Sequence, residues 1–293
     1  MLLSYADSTI EDPHVINGEA TPPVGVVVVI FNRRCSESVS FVKMLQISLP
    51  VLLLIDNSTD TEIIEYNRQY CLQQKCEYYF MGENKGLSKA YNAGIERIGN
   101  RTDYLMILDD DTIVPDDVFS QLAKGIIENP TADIYVPYVT DQKALLSPSR
   151  RMSSLFFRLH TRPNTFSSNM SAINSGLVIH LRPETNKGPH FDEKQFLDCI
   201  DHLFIFQQIK SGAEIRLYPA EFRQTFFDRT AANLEGQKEK TYIRFERFAK
   251  DYRYFCRTCS LNRWISELYL LFRAIKLNLR YRTTLFFIPL HKT

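Results

Sequence analysis

Apolar residues in the first 130 positions fall into short runs separated by polar segments. Residues 24–31 read VGVVVVIF, 51–55 read VLLLI and 104–108 read YLMIL, with a weaker run at 76–80. Runs of this length with few turn residues predict strands, and strands apolar on both faces belong inside a parallel sheet covered on both sides. Between them, apolar positions are spaced for helices over 36–46, 61–71, 86–98 and 115–127, with Asp60 available to cap the second. Strands alternating with helices predict an α/β fold around a parallel sheet. Ligands of such sheets bind beyond the carboxyl ends of the strands. Asn32, Asp56, Asn84 and Asp109 each stand at or just after a strand end, so four loops bring polar groups to one rim.

After about residue 131 the alternation loosens. The stretches ADIYVPYV, NSGLVIHL and AEIRLYPA predict strands, and residues 191–212 predict a helix ending at Gly212. Beyond 240 the pattern is helical, basic and aromatic. The chain divides into an irregular lead-in over 1–23, an α/β domain over 24–240 and a helical extension over 241–293. The opening MLLSYADSTIEDP has neither a basic start nor a long apolar core and does not read as a signal peptide. No apolar run approaches the ~20 residues that span a bilayer.

Composition adds little: 44% hydrophobic and 24% charged residues suit a globular protein, and a net charge of +1 implies no nucleic-acid partner. The distribution of charge says more. From Lys240 onward there are 12 Lys/Arg against 3 Asp/Glu, and elsewhere 23 against 31. A basic extension on an acidic body predicts contact with an anionic surface. Trp264, Ile265, Leu268, Phe272 and Ile275 keep helical spacing among Arg263, Arg273, Lys276, Arg280 and Arg282, which suits an amphipathic helix in a membrane interface; a helix packed on the domain is the alternative. Cys256 and Cys259 form a lone CxxC without the second pair that structural zinc needs; reduced thiols are expected.

The chemistry concentrates in DYLMILDDDTIVPDD. Asp109, Asp110 and Asp111 follow a buried strand without a break, and like charges at close range repel. Solvent or a divalent cation must offset that cost, and such cations bind through one or two carboxylates plus substrate phosphates. Asp56 and Asn57 can hydrogen-bond a nucleobase or ribose, or else build an Asx-turn. Asn84, Gly86, Asn92 and Gly94 form N-x-G-x5-N-x-G. Gly86 opens a helix whose amides favour phosphate, Lys89 adds a cation for a diphosphate, and Gly94 lets the helix sit close to the sheet.

A hydrophobic strand delivering D-x-D after IDNS and the Asn-Gly motif resembles the nucleotide-sugar domain of family 2 glycosyltransferases. Asn174, Ser175 and Gly176 resemble that family's acceptor-side strand, and FDEKQFLDCIDHLF its helix with the catalytic carboxylate. FLD-x-ID-H, KGLSKAYNAGI and DYRYFCRTC are similar to the bacterial rhamnosyltransferase branch. The resemblance covers roughly residues 24–260. It implies a GT-A fold, Rossmann-like and nucleotide-sugar-binding, with a C-terminal helical extension. It also implies a metal-dependent inverting glycosyltransferase using Mg²⁺ or Mn²⁺. Carried over, Phe31, Asn32, Asp56, Asn57, Asn84, Gly86, Lys89 and Asp109 bind the donor, Asp56 meeting the base and Asp109 the ribose. Asp109 and Asp111 hold the metal, Asp110 is the variable middle position, and Asp201 is the general base. Asp198, one helical turn earlier, is the rival base, while Asp192 and Glu193 shape the acceptor pocket.

The chain departs from the branch where D-x-E-W becomes Asp201-His202-Leu203-Phe204, and where Arg223 and Gln224 replace a late histidine. These departures bear on the donor sugar, for which the branch implies rhamnose. His202 is read as an acceptor contact or a packed side chain. The implied acceptor is a glycan, free or lipid-linked, in cell-surface polysaccharide synthesis, at a cytoplasmic site with peripheral contact on the inner membrane face. Two other classes compete. A sugar-binding protein on the same fold would lack the Asp201 carboxylate. A D-x-D phosphohydrolase would carry its motif on an early strand followed by Gly-Thr, whereas three strands precede this one.

Overall fold

A computed structural model describes residues 15–16, 19–20, 22–141, 144–153, 155–182, 190–224 and 234–291. A short ribbon, β1 (Val15–Ile16) with β2 (Glu19–Ala20), precedes the domain. Then β3 (Val24–Ile30), β4 (Val51–Asp56), β5 (Glu77–Phe80) and β6 (Tyr104–Asp109) pair in parallel in the order β5-β4-β3-β6. The helices α1 (Val39–Met44), α2 (Thr61–Gln74) and α3 (Leu87–Ile98) connect them, and α4 (Val118–Glu128) follows. Asp60 caps α2, accepting from the amides of Glu62 and Ile63 at 3.0 and 3.3 Å. Winding reverses between β3 and β6, which opens a crevice at the carboxyl ends of these two strands.

The first four strands match the parallel expectation. The second half comprises β7 (Thr112–Ile113), β8 (Ile134–Asp141), β9 (Ala144–Ser147), β10 (Ser149–Met152), β11 (Leu155–Arg158), β12 (Met170–Ser171), β13 (Leu177–His180) and β14 (Ile215–Gln224). Among its described residues only β14 and β8 pair in parallel. The sheet continues from β6 through β13, β8 and β14 to β7, with β13 antiparallel to both neighbours. A parallel neighbour needs a long crossover, usually a helix, but the connection from β8 to β13 contains only strands and loops among its described residues. The sheet is therefore mixed.

Side-chain alternation builds two cores from one strand. Val24, Val26, Val28 and Ile30 face Phe41, Met44 and Leu122, while Val27 and Val29 face Tyr91, Ile95 and Phe204. Gly94 serves this packing: a Cβ there would lie 2.8 Å from Val27 Cγ1.

The helix expected over 191–212 forms only as α5 (Ile200–Lys210). Upstream, the carboxylate of Asp251 accepts from the amides of Phe196, Leu197 and Asp198 at 3.2, 2.8 and 2.9 Å. Cys199 turns left-handed at φ 58°. Backbone donors captured by a side chain cannot serve a helix. Asp251 comes from α6 (Leu234–Thr258), which with α7 (Arg263–Tyr281) and α8 (Ile288–His291) forms the C-terminal extension. Phe245, Tyr252, Phe255 and Leu270 make a third core that includes Leu203 of α5. Cys256 and Cys259 are free and buried within it. Burial raises both thiols, Cys259 to about 12. No helix among the described residues is long and apolar enough to cross a membrane.

Candidate active site

The loops after β3, β4 and β5 are stitched to one another by side chains. Asn32, at φ 47°, accepts the amides of Thr59 and Asp60 at 2.8 and 3.2 Å, and its own amide donates to Ser58 Oγ. Asn57 Nδ2 donates to Asn84 Oδ1 at 3.0 Å, and Asn57 Oδ1 accepts from the Lys85 amide at 2.9 Å. Asp56 is fully buried, its carboxylate taking Ser58 N, Asn67 Nδ2 and Tyr78 Oη, each at 3.0 Å. A buried carboxylate with three internal donors holds its own loop. Phe31, 46% exposed at the end of β3, offers the aromatic surface there.

The acidic triplet sits between β6 and β7, and β7 pairs with the end of β14 through Arg223 and Gln224. The hydroxyls of Ser40 and Ser38 donate to the carbonyls of Asp109 and Asp110 at 2.7 and 2.8 Å and fix the turn. Asp109 accepts from Tyr91 Oη at 2.5 Å and Ser175 Oγ at 2.9 Å. Burial raises its pKa; the two hydroxyls oppose this, and Asp111 and Asp201 add to it. Asp110 turns to Arg33 at 3.2 Å, and burial still pushes its carboxyl up to about 6 against that cation. Asp111 is half-buried at the mouth of the turn.

Asp201 lies in the first turn of α5, near enough to act on both Asp109 and Tyr91. The two halves of the chain thus meet around Tyr91, whose hydroxyl burial keeps protonated, with Asp109 adding to the effect. Asp198 has another task. It lies outside the helix, and its Oδ1 accepts from Arg244 Nη2 at 2.7 Å while Oδ2 pairs with Nη1. Asp192 takes the Tyr254 hydroxyl at 2.8 Å, and Glu193 takes Asn92 Nδ2 at 3.1 Å, so both are tied into the scaffold. His202 is a packed side chain. It stacks on Phe156 at 3.7 Å, meets Ser171 Oγ at 2.7 Å, and burial lowers its pKa despite Asp201.

Two residues expected at the donor site, Gly86 and Lys89, have other neighbours in the structure. The Gly86 amide donates to Asn84 Oδ1 and the Leu87 amide to the Phe196 carbonyl at 2.7 Å, so neither is free for phosphate. Gly86, at φ 87°, is needed because a Cβ would lie 2.7 Å from that carbonyl. Lys89 lines a cavity of about 700 Å³ with Lys85, Lys194, Arg247 and Lys250, and none of Asp109, Asp111 and Asp201 lines it. Sequence reasoning missed Tyr91, Ser38, Ser40, Arg33 and Asp251. Tyr91 and Asp251 lie within the quoted stretches KGLSKAYNAGI and DYRYFCRTC, and Ser38 and Ser40 within the polar SESVS, but no pattern there gives them a role.

Among the described residues, no three or more His, Cys, Asp and Glu side chains converge for a metal. Asp111 and the remaining lone pairs of Asp109 suit a divalent cation that takes its other ligands from a diphosphate and water, as Mg²⁺ commonly does.

The family profile described as "Glycosyl transferase family 2" matches residues 26–207. Among solved structures, that of GalNAc-T7 with UDP, GalNAc and Mn²⁺ is 14% identical, with a TM-score of 0.55 over 90% of this chain and 58% of that one. This chain therefore spans somewhat over half of that protein's length, and the likeness is one of fold. S. aureus TarS 1–349 in complex with UDP-GlcNAc is 13% identical, with a TM-score of 0.49 over 76% of this chain and 66% of that one. Comparison with curated proteins gives no match.

Proposed function

The chain belongs to glycosyl transferase family 2, and from that membership we propose a nucleotide-sugar glycosyltransferase that inverts the anomeric centre. One observation carries the reading: Asp201, from the second half of the chain, opens α5 close enough for its charge to act on Asp109 and Tyr91. A donor diphosphate beside Asp111 and an acceptor hydroxyl beside Asp201 would put the reacting atoms between two carboxylate groups. Asp201 accepts the hydroxyl proton, the freed oxygen bonds to the anomeric carbon, and the bond from that carbon to the diphosphate breaks. Phe31 stacks on the base, and Asn32, Asn57 and Asn84 keep the loops around it in register. Asp111 and Asp109 would hold Mg²⁺ or Mn²⁺, which would supply Lewis-acid stabilisation of the leaving diphosphate.

Rhamnose as the sugar and a lipid-linked glycan as the acceptor complete the proposal. UDP is the first nucleotide to try, because the GalNAc-T7 and TarS structures contain UDP or UDP-GlcNAc. A panel of nucleotide sugars, read by release of nucleoside diphosphate, tests the activity. Asp111→Ala and excess EDTA should each abolish transfer and nucleotide binding while the fold remains. Full turnover in EDTA would sink the metal assignment, and binding without turnover on any donor would favour an inert sugar-binding protein.

A further inference from the structure

Helices α6, α7 and α8 border a cavity of about 990 Å³ whose wall holds five cationic and two acidic residues. Arg253 forms part of it and is committed. Its guanidinium holds both oxygens of Glu267 at 2.8 and 2.7 Å and donates to the carbonyls of Pro289 and Leu290. That pair is neutral. Arg247, Lys250, Arg257 and Arg263 line the same cavity and are exposed to it. Arg253 holds the Glu267 carboxyl low chiefly through its hydrogen bonds, with Arg263 and Arg257 adding their charge. One carboxylate thus answers three guanidiniums, and Glu246 is the only other acid in the wall among the described residues. Like charges gathered around a concave space raise its affinity for anions.

Two neighbouring features narrow the ligand. Arg247 and Lys250 also line the 700 Å³ cavity that holds Lys194 and Phe196, so two of these cations reach the segment leading to Asp201, in a wall where Glu83, Glu96, Glu193 and Asp251 nearly balance the charge. On the other side, α7 exposes Trp264, Leu268 and Phe272 at 86, 63 and 74%. These recur at i, i+4 and i+8 and form one apolar stripe beside Arg263 and Glu267. An anionic group flanked by apolar material on one side and by the catalytic segment on the other fits both surfaces.

We propose that this cavity is a metal-independent site for a phosphate-type anion, a phosphomonoester or diphosphate, separate from the donor diphosphate at Asp111. Planar guanidinium forks match phosphate oxygens in pairs. The bound group is the phosphate of the acceptor or of a lipid headgroup; its acceptor role rests on the transferase reading, while the site itself does not.

Calorimetric titration of the full chain with inorganic diphosphate in EDTA tests the site. Binding should persist in Asp111→Ala, weaken at least ~10-fold in the double variant Arg257→Glu/Arg263→Glu, and be unchanged in Lys276→Glu/Arg282→Glu, which removes the same charge elsewhere on the extension. Sedimentation with phosphatidylcholine vesicles, with and without phosphatidic acid, identifies the source. Capture that the cavity variant loses makes the anion lipid-borne. Diphosphate binding without such capture makes it a soluble or sugar-borne phosphate. Equal weakening in both double variants overturns the proposal, as does a wild type indifferent to diphosphate and phosphatidic acid, or loss confined to Asp111→Ala. Binding of UDP with Mn²⁺, measured on the same proteins, reports the donor site separately, so its failure is distinguishable from failure of the cavity.

Discussion

Asp198 and Asp201 are three residues apart, yet one belongs to an ion pair and the other to the cleft. Asp198 lies before the left-handed turn at Cys199 and is held by Arg244. Asp201 follows the turn and acts on Asp109 and Tyr91. Loss of a general base typically costs ~10²–10⁴-fold in rate. Asp201→Asn should therefore slow transfer at least ~10²-fold with nucleotide binding retained, while Asp198→Asn should keep most of its rate and lose some stability. Steady-state rates on both proteins decide, and reversed behaviour would move the base to Asp198. Asp110 makes a pH prediction. Its folded pKa is raised from 3.8 to about 6, so the native state holds a proton that the unfolded state releases. The group's cost is absent below about pH 4 and complete above about pH 6. Asp110→Asn should be more stable than wild type at pH 7, by on the order of 2 kcal/mol, with the difference vanishing toward pH 4. Urea denaturation at several pH values measures it; a difference independent of pH would contradict the assignment.

At the scale of elements, the catalytic segment is built by a helix far from it in sequence. Asp251 on α6 satisfies three consecutive amides ahead of α5. An unsatisfied buried amide costs ~1–3 kcal/mol, so Asp251→Ala should destabilise the protein by on the order of 3 kcal/mol. The same change should free residues 196–198 and lower kcat more than it raises KM for the donor, because the rim of β3, β4 and β6 is untouched. Thermal unfolding and a kcat against KM comparison check this. A variant as stable and as fast as wild type would show that α6 merely covers the domain.

For the whole molecule, the extension has two faces of opposite character. Phe245, Tyr252, Phe255 and Leu270 are buried with α5, whereas Trp264, Leu268, Phe272, Ile275 and Leu279 on α7 remain exposed. The buried face packs as a helix on the protein does, and the exposed face is the one on which the proposed membrane contact would rest. Near an anionic leaflet each basic residue contributes about 1 kcal/mol, and residues 241–293 carry 11 Lys/Arg against 3 Asp/Glu. The protein should sediment with phosphatidylglycerol vesicles and not with neutral ones, and Trp264→Ser/Phe272→Ser should reduce that binding. Equal, negligible sedimentation with both vesicle types would remove the membrane reading.

Local pattern determined what depends on neighbours in sequence. Val24–Ile30, rich in β-branched residues, and Tyr104–Asp109, apolar up to its last residue, are strands because such runs fit a buried sheet. The four rim loops follow from strand polarity, and the acidic triplet was legible because three carboxylates after such a strand are costly without a partner. What the tertiary structure decided depends on groups distant in the chain. The antiparallel insertion of β13, the internal commitment of Asp56, the diversion of Lys89 to another cavity and the shortening of α5 were not legible. The second and fourth arise because polar groups withdrawn from water must be satisfied by whatever the fold brings near them, as Asn67 and Tyr78 reach Asp56 and Asp251 reaches the 196–198 amides. Periodicity reports which face of an element is apolar; only packing reports which polar groups that face leaves within reach of one another.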